Sequence, residues 1–191
     1  MNEYKIIEIY TDGSAAPNPG PGGFGVVAIE STYFNNSINK KEIIYSHKYR
    51  AEEPTTNNRE ELKAIIDALN YVDKHVTKRF AYEDIYAIHI YCDSSYVVNI
   101  CNEWINGWHD NEWRNSKNVP VQNVDLLIKL YGSLYNYRNQ FHTYREEERP
   151  WAYTIAKVNG HNSVAGNEYA DALATNNGKK LDEWYDKMLE I

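Results

Sequence analysis

The reading of the fold turns on YTDGSAAPNPGPGGFG, Tyr10 to Gly25, which contains a literal G-x-G-x-x-G from Gly20 to Gly25. A dinucleotide-binding loop of that spelling needs a strand before the glycines and a helix opening on them. The strand is present: YKIIEIYT, residues 4–11, is rich in β-branched and aromatic residues and runs into Asp12-Gly13. After the glycines, however, comes FGVVAIESTY, residues 24–33, which is again a strand pattern. Pro17, Pro19 and Pro21 remove backbone N–H donors that a phosphate cradle would use. No Gly-Lys-Ser/Thr occurs in the stretch, which excludes a Walker loop. The glycines therefore read as a tight turn between antiparallel strands, and Asp12 becomes the residue of interest.

Outward from that turn, KEIIYSHKYR at 41–50 reads as a third strand, with Asn35–Lys41 as a hairpin-like loop before it. The period then changes. Apolar side chains at 62, 65, 66, 69 and 72 predict an amphipathic helix over 59–74, with candidate N-caps in Thr55-Thr56-Asn57-Asn58. A strand at 85–92 and a helix from Asp93-Ser94-Ser95 to about 105 follow. Next come a tryptophan-rich connection at 104–120 and a helix at about 122–137. TYREEERP at 143–150 reads as a loop, and a strand lies near 151–158. The loop NGHNSVAG leads to a helix at 167–175 and an amphipathic tail at 180–190. Three strands followed by alternating helix and strand predict an α/β fold, a mixed sheet with helices on its faces.

At 191 residues, 42% of them hydrophobic and 25% charged, the chain has the composition of one soluble globular domain. It has no run of eighteen apolar residues, and MNEYKIIEIY lacks a signal-peptide profile, so the expected location is the cytoplasm and no membrane contact is expected. Cys92 and Cys101 form neither a disulfide framework nor a zinc pattern. A net charge of −7 argues against a nonspecific nucleic-acid coat, though not against local phosphate contacts.

Four carboxylates carry the chemistry. Asp12 and Asp93 each end an apolar strand, where each is either a turn former or a ligand at a sheet edge; two such strands can meet side by side. At 100° per residue, Glu60 falls with Lys63, Asp67 and Lys74 on a solvated face, whereas Glu61 falls beside Ile65, Ala68 and Val72. A carboxylate at that margin is costly unless paired or coordinating a cation, so Glu61 is the candidate ligand. Asp171 lies in the helix at 167–175, with Glu168 three residues earlier; either could be a first-turn acid on the helix dipole. Converging acids without matching basic partners would repel one another, and Mg²⁺ or Mn²⁺ would resolve that through oxygen ligands. Two such ions about 4 Å apart serve in-line phosphoryl transfer.

These residues match a family. TDGSAAPNPGPGGFG, TTNNREEL, YCDSSYVV, WINGW…W…VPVQNVDL and VNGHNSVAGNEYADALA, in this order, resemble cellular ribonuclease H of the type 1 class across nearly the whole chain. The resemblance implies a ribonuclease H-like fold, a five-stranded mixed sheet flanked by helices, spanning 1–191 as a single domain with a C-terminal helical extension at about 178–191. It implies an endonuclease that hydrolyses the RNA strand of RNA–DNA hybrids with two Mg²⁺ ions, Mn²⁺ being a possible substitute. The products would be 5′-phosphate and 3′-hydroxyl ends. The family's acids fall on Asp12, Glu61, Asp93 and Asp171, and its mobile-loop histidine on His161, as a proton shuttle or an aid to product release. Asn18, Thr56, Asn57 and Asn58 match positions that contact the hybrid backbone, and the same residues are natural turn and cap formers. The expected state is a monomer with no obligate protein partner.

Three departures stand out. WINGWHDNEWRNSKN, residues 104–118, keeps Trp104, Trp108 and Trp113 at matching places, where the first two read as packing residues. It lacks the strongly basic character common there: Arg114 and Lys117 are set against Asp110 and Glu112. Position 95 is serine where related enzymes often have a larger amide. Insertions fall around Tyr33–Lys41, Asp73–Glu83 and Tyr135–Pro150. The competing readings are a hybrid-binding module that has lost catalysis, and the nuclease domain of a reverse transcriptase. The four acids weigh against the first, and the opening methionine and closing helix against the second.

Overall fold

In the computed structural model, which describes residues 3–80, 85–145, 152–160 and 163–191, strand β1 (Glu3–Ala15) is the hub. It pairs antiparallel with β2 (Gly22–Phe34) and parallel with β4 (Ile85–Cys92). β3 (Ser37–Arg50) adds antiparallel to β2, and β5 (Ala152–Lys157) adds parallel to β4. The result is a five-stranded mixed sheet in the order β3-β2-β1-β4-β5.

Alternation along the strands decides what packs where. Ile7 and Ile9 of β1, with Val26 and Ala28 of β2 and Ile88 and Ile90 of β4, face a large core. That core is closed by Leu62, Ile65 and Leu69 of α1 (Asn57–Tyr71) and Leu127, Leu130 and Leu134 of α5 (Val124–Arg145). Tyr10, Val27 and Ile29, one residue out of phase, face a smaller core. It is covered by Ala170 and Leu173 of α6 (Ala165–Thr175) and Met188 of α7 (Gly178–Leu189).

Several boundaries differ from the sequence reading. β1 runs on to Ala15 instead of stopping at Asp12, because β2 continues to pair with it: Asp12 sits opposite Gly25 and Ala15 opposite Gly22. The loop expected at 35–41 shrinks to Asn35-Asn36, both at positive φ (50° and 65°), a conformation asparagine tolerates, and β3 resumes at Ser37. α1 begins at Asn57 and passes at Val72 into a π-helical turn (Val72–Val76) before α2 (Thr77–Phe80). A second π-helical turn, Ile100–Trp104, joins α3 (Ser95–Asn99) to α4 (Ile105–Asp110), so part of the expected tryptophan-rich connection is helical. α5 reaches Arg145, so 143–145 belong to a helix where a loop was expected. Residues 146–150 lie outside the described residues.

Candidate active site

Strands β1 and β4 lie parallel with Thr11 opposite Cys92, so the next residues, Asp12 and Asp93, sit together at one edge of the sheet. Two glycines then bring the helices in. A Cβ at Gly13 would stand 2.1 Å from the Glu61 amide nitrogen and 2.4 Å from the Glu60 carbonyl carbon. Only hydrogen fits, and the first turns of α1 rest directly on β1. Gly25, which faces Asp12 across the ladder, does the same for α6: a Cβ there would stand 2.3 Å from the Ala170 carbonyl oxygen. Gly25 is the last glycine of the G-x-G-x-x-G. Its absent side chain admits the helix that carries Asp171. The earlier glycines tie down the turn, where Gly20 exchanges two backbone hydrogen bonds with Thr55 (2.9 and 2.8 Å) just ahead of α1.

The four acids interact. Asp12 is only 6% exposed, and burial, then the charges of Asp93 and Asp171, push its carboxyl up to about 7. Glu61, 7% exposed, is raised well above the carboxylate range by burial and then by Asp12 and Asp93. The Gly13 N–H and the Cys92 thiol oppose that rise. Asp93 and Asp171 are half-buried. Carboxylate oxygens of Glu61 and Asp93 and the Cys92 Sγ lie within 4.8 Å of one another.

Like charges held together out of water are unstable as a bare set and fit a divalent cation, the oxygen donors suiting a hard ion. Cys92 is fully buried and its thiol donates to Glu61 Oε2 at 3.4 Å. Burial first, and then the charge of Glu61, raise it far above a free thiol, so it orients the acid as a protonated donor.

The remaining expected residues are placed as follows. Thr56 caps α1 by accepting from the Arg59 N–H, and Asn57 Oδ1 accepts from the Ala15 N–H at 2.7 Å. Asn18 Oδ1 accepts from the Asn57 N–H at 3.3 Å. Asn18, Asn57 and Asn58 are exposed, beside the turn that leads into the site. His161 lies outside the described residues. Gly160 just before it is packed on the site, where a Cβ would meet Asp93 Oδ2 at 2.7 Å.

Glu60 overturns one expectation. It is fully buried, not solvated. Thr55, immediately before the cap, folds over the first turn and donates its hydroxyl to Glu60 Oε1 at 2.7 Å, and Lys63 Nζ donates to the same oxygen at 2.6 Å. The contact has the place of a hydrophobic staple but is made of hydrogen bonds. A helical projection sees only the helix, and the covering segment came from outside it.

The acids also have a basic partner that the sequence reading missed. Lys180 of α7 donates to Asp171 Oδ2 at 2.8 Å and lies 3.8 Å from Glu168 Oε2. The signal was present in Asn176-Asn177-Gly178. Asn176 ends α6 at φ 55° and Asn177 caps α7, so the chain reverses and returns a residue nine positions downstream.

Comparison with known proteins follows the same lines. Residues 4–179 match the RNase H family profile. A ribonuclease H of Cupriavidus metallidurans is 36% identical over 168 residues, covering 88% of this chain and 92% of that protein. One from Caldanaerobacter subterraneus subsp. tengcongensis is 37% identical over 180 residues, covering 94% and 95%. Among solved structures, LC9-RNase H1, described as a type 1 RNase H with the type 2 active-site motif, superposes with TM-score 0.62 at 21% identity, over 91% of this chain and 72% of that one. A foamy viral protease-reverse transcriptase in complex with RNA/DNA hybrid gives 0.61 at 18% identity, over 90% of this chain and 19% of the viral one. At those identities the structural likeness speaks for the fold. The profile and the sequence identities speak for descent, and on them the chain belongs to the RNase H family.

Proposed function

We propose that the protein cuts the RNA strand of RNA–DNA hybrids at the cluster of Asp12, Glu61, Asp93 and Asp171, leaving 5′-phosphate and 3′-hydroxyl ends. The observation that carries this reading is the mutual charge of buried Asp12 and Glu61 with half-buried Asp93 and Asp171, where the pairing of β1 with β4 ends, with α1 and α6 seated at backbone distance. Two divalent ions bound there, Mg²⁺ or Mn²⁺, would supply Lewis-acid activation of the attacking water and charge neutralisation at the leaving 3′-oxygen.

The protein's own part is positioning. Gly13 and Gly25 set how closely Glu61 and Asp171 approach Asp12, and the Cys92 thiol fixes the Glu61 carboxylate. Gly160 packs against Asp93, and His161, next in the sequence, would move a proton between the site and solvent. Asn18, Asn57 and Asn58 lie exposed where the hybrid backbone would run, and 2′-hydroxyl contacts would distinguish the cut strand. We read the chain as one nuclease domain extended by α7, acting as a monomer in the cytoplasm. Both buried cysteines are unbonded, and among the described residues no helix is long and apolar enough to cross a membrane.

The test is incubation of a labelled RNA–DNA hybrid with Mg²⁺ beside double-stranded RNA and double-stranded DNA. The RNA of the hybrid alone should be cut, with 5′-phosphate ends, and Asp93→Asn should abolish the reaction. Cleavage that survives Asp93→Asn refutes the assignment of the site. Hybrid binding without cleavage by the parent chain would instead establish a binding module.

A further inference from the structure

Lys180 closes one side of the carboxylate cluster. It is the third residue of α7, where its backbone N–H is held by the Asn177 cap at 3.2 Å. Its ammonium donates to Asp171 Oδ2 at 2.8 Å, lies 3.8 Å from Glu168 Oε2, and exerts its charge on Asp12. The corner that delivers it is fixed. The Asn177 N–H donates to the Ala172 carbonyl at 2.9 Å and the Asn176 N–H to Leu173 at 3.2 Å. Further along, Leu181 and Met188 pack into the smaller core, with Met188 only 2% exposed. α7 therefore anchors the lysine over the acids and is not a loose tail.

An exposed ion pair contributes little, and Lys180 is about one-third exposed. Its partner distinguishes this pair. Asp171 is one of the acids that raises Asp12, and the ammonium, after the Gly13 N–H, offsets that repulsion. An Asp171 oxygen that accepts a hydrogen bond from an ammonium cannot offer the same lone pair to a divalent ion.

We propose that Lys180 is a tethered counter-cation that holds Asp171 and competes with a divalent ion for it. The ion on the Asp171 side is then bound more weakly than the ion on the Glu61–Asp93 side, and takes Asp171 only as Lys180 swings away. This rests on reading the four acids as metal ligands. It makes Lys180 a positioning residue, acting through Asp171.

Mn²⁺ titration of the whole chain, followed by electron paramagnetic resonance and by the Mn²⁺ dependence of the melting temperature, tests both layers. Lys180→Met should tighten the weaker site by roughly threefold to tenfold, the size of one charge-assisted hydrogen bond in a partly exposed setting. Lys180→Arg keeps a competing cation and should bind no more tightly than the parent, which separates lost charge from disturbed folding. In an Asp171→Asn background, where the contested ligand is gone, Lys180→Met should change nothing further. Two sites of unchanged affinity in Lys180→Met overturn the proposal. Equal tightening in the Asp171→Asn background overturns it too, because the effect would then be long-range charge alone. A parent that binds no Mn²⁺ at all removes the metal reading, and the competition with it.

Discussion

Alanine at position 13 would put a methyl carbon 2.1 Å from the Glu61 amide nitrogen and 2.7 Å from its Cα. The first of these is more than an ångström inside ordinary van der Waals separation. Both neighbours are backbone, so no side chain can rotate away, and α1 must move off β1 by roughly an ångström. Gly13 does not use positive φ, so alanine carries no conformational penalty there. On that ground alone Gly13→Ala should stabilise by about 0.4–1 kcal/mol through the unfolded chain. Overpacking a rigid contact costs about 1–3 kcal/mol, sometimes more, and it should win. The variant should therefore melt at lower urea in the presence of chelator. Because Glu61 rides on the displaced helix, kcat/KM on a labelled hybrid should also fall, by about a hundredfold for a misplacement of that size. Parent-like stability together with cleavage within threefold of the parent would show that the helix does not rest on β1 as described.

Three further outcomes follow from the site. In the metal-free protein the Asp12 carboxyl, ordinarily near 3.8, is held at about 7 by burial and by Asp93 and Asp171. The folded state thus binds its proton more tightly, and the stability this contributes is full below about pH 4 and lost as pH rises through about 7. Asp12→Asn should match the parent at pH 4 and exceed it at pH 8 in urea melts with chelator; a difference that does not change with pH would sink the reasoning. Adjacent acids should separate sharply: Glu61→Gln should lose at least about a hundredfold in cleavage. Glu60→Met should keep activity and shift stability by no more than about 2 kcal/mol, since its partner Lys63 is 25% exposed and can turn its ammonium to water. With Arg114 and Lys117 balanced by Asp110 and Glu112, hybrid affinity should fall with salt less steeply than a log–log slope of about −4, the mark of roughly five phosphate contacts.

Legibility in the sequence tracked how local each feature was. Strand alternation in YKIIEIYT and IYAIHIYC located Asp12 and Asp93, because a strand's two faces can be read without knowing its partner. Helical spacing likewise put Glu61 at the margin of the apolar stripe. Glu60 could not be read that way, since its burial comes from Thr55 in the preceding segment. β1 outran its expected end because pairing to β2 is a property of two strands. Lys180 was hidden by the corner at Asn176-Asn177, which converts nine residues of sequence into a 2.8 Å contact. The π-helical turns at Val72–Val76 and Ile100–Trp104 have no spacing signature that separates them from the helices around them.

The seams at Gly13 and Gly25 also bear on which ions the site can tolerate. With backbone against backbone, nothing in either seam can be resized, so the spread between the helices bearing Glu61 and Asp171 is fixed by the main chain. A Mg²⁺ ion asks for oxygens at about 2.0–2.1 Å, whereas Ca²⁺ asks for about 2.3–2.6 Å and more of them. Were Glu61 and Asp171 to ligate an ion, carboxylate rotation would have to absorb that difference in radius. Discrimination by ionic size would then rest on two missing side chains, at positions other than the four acids.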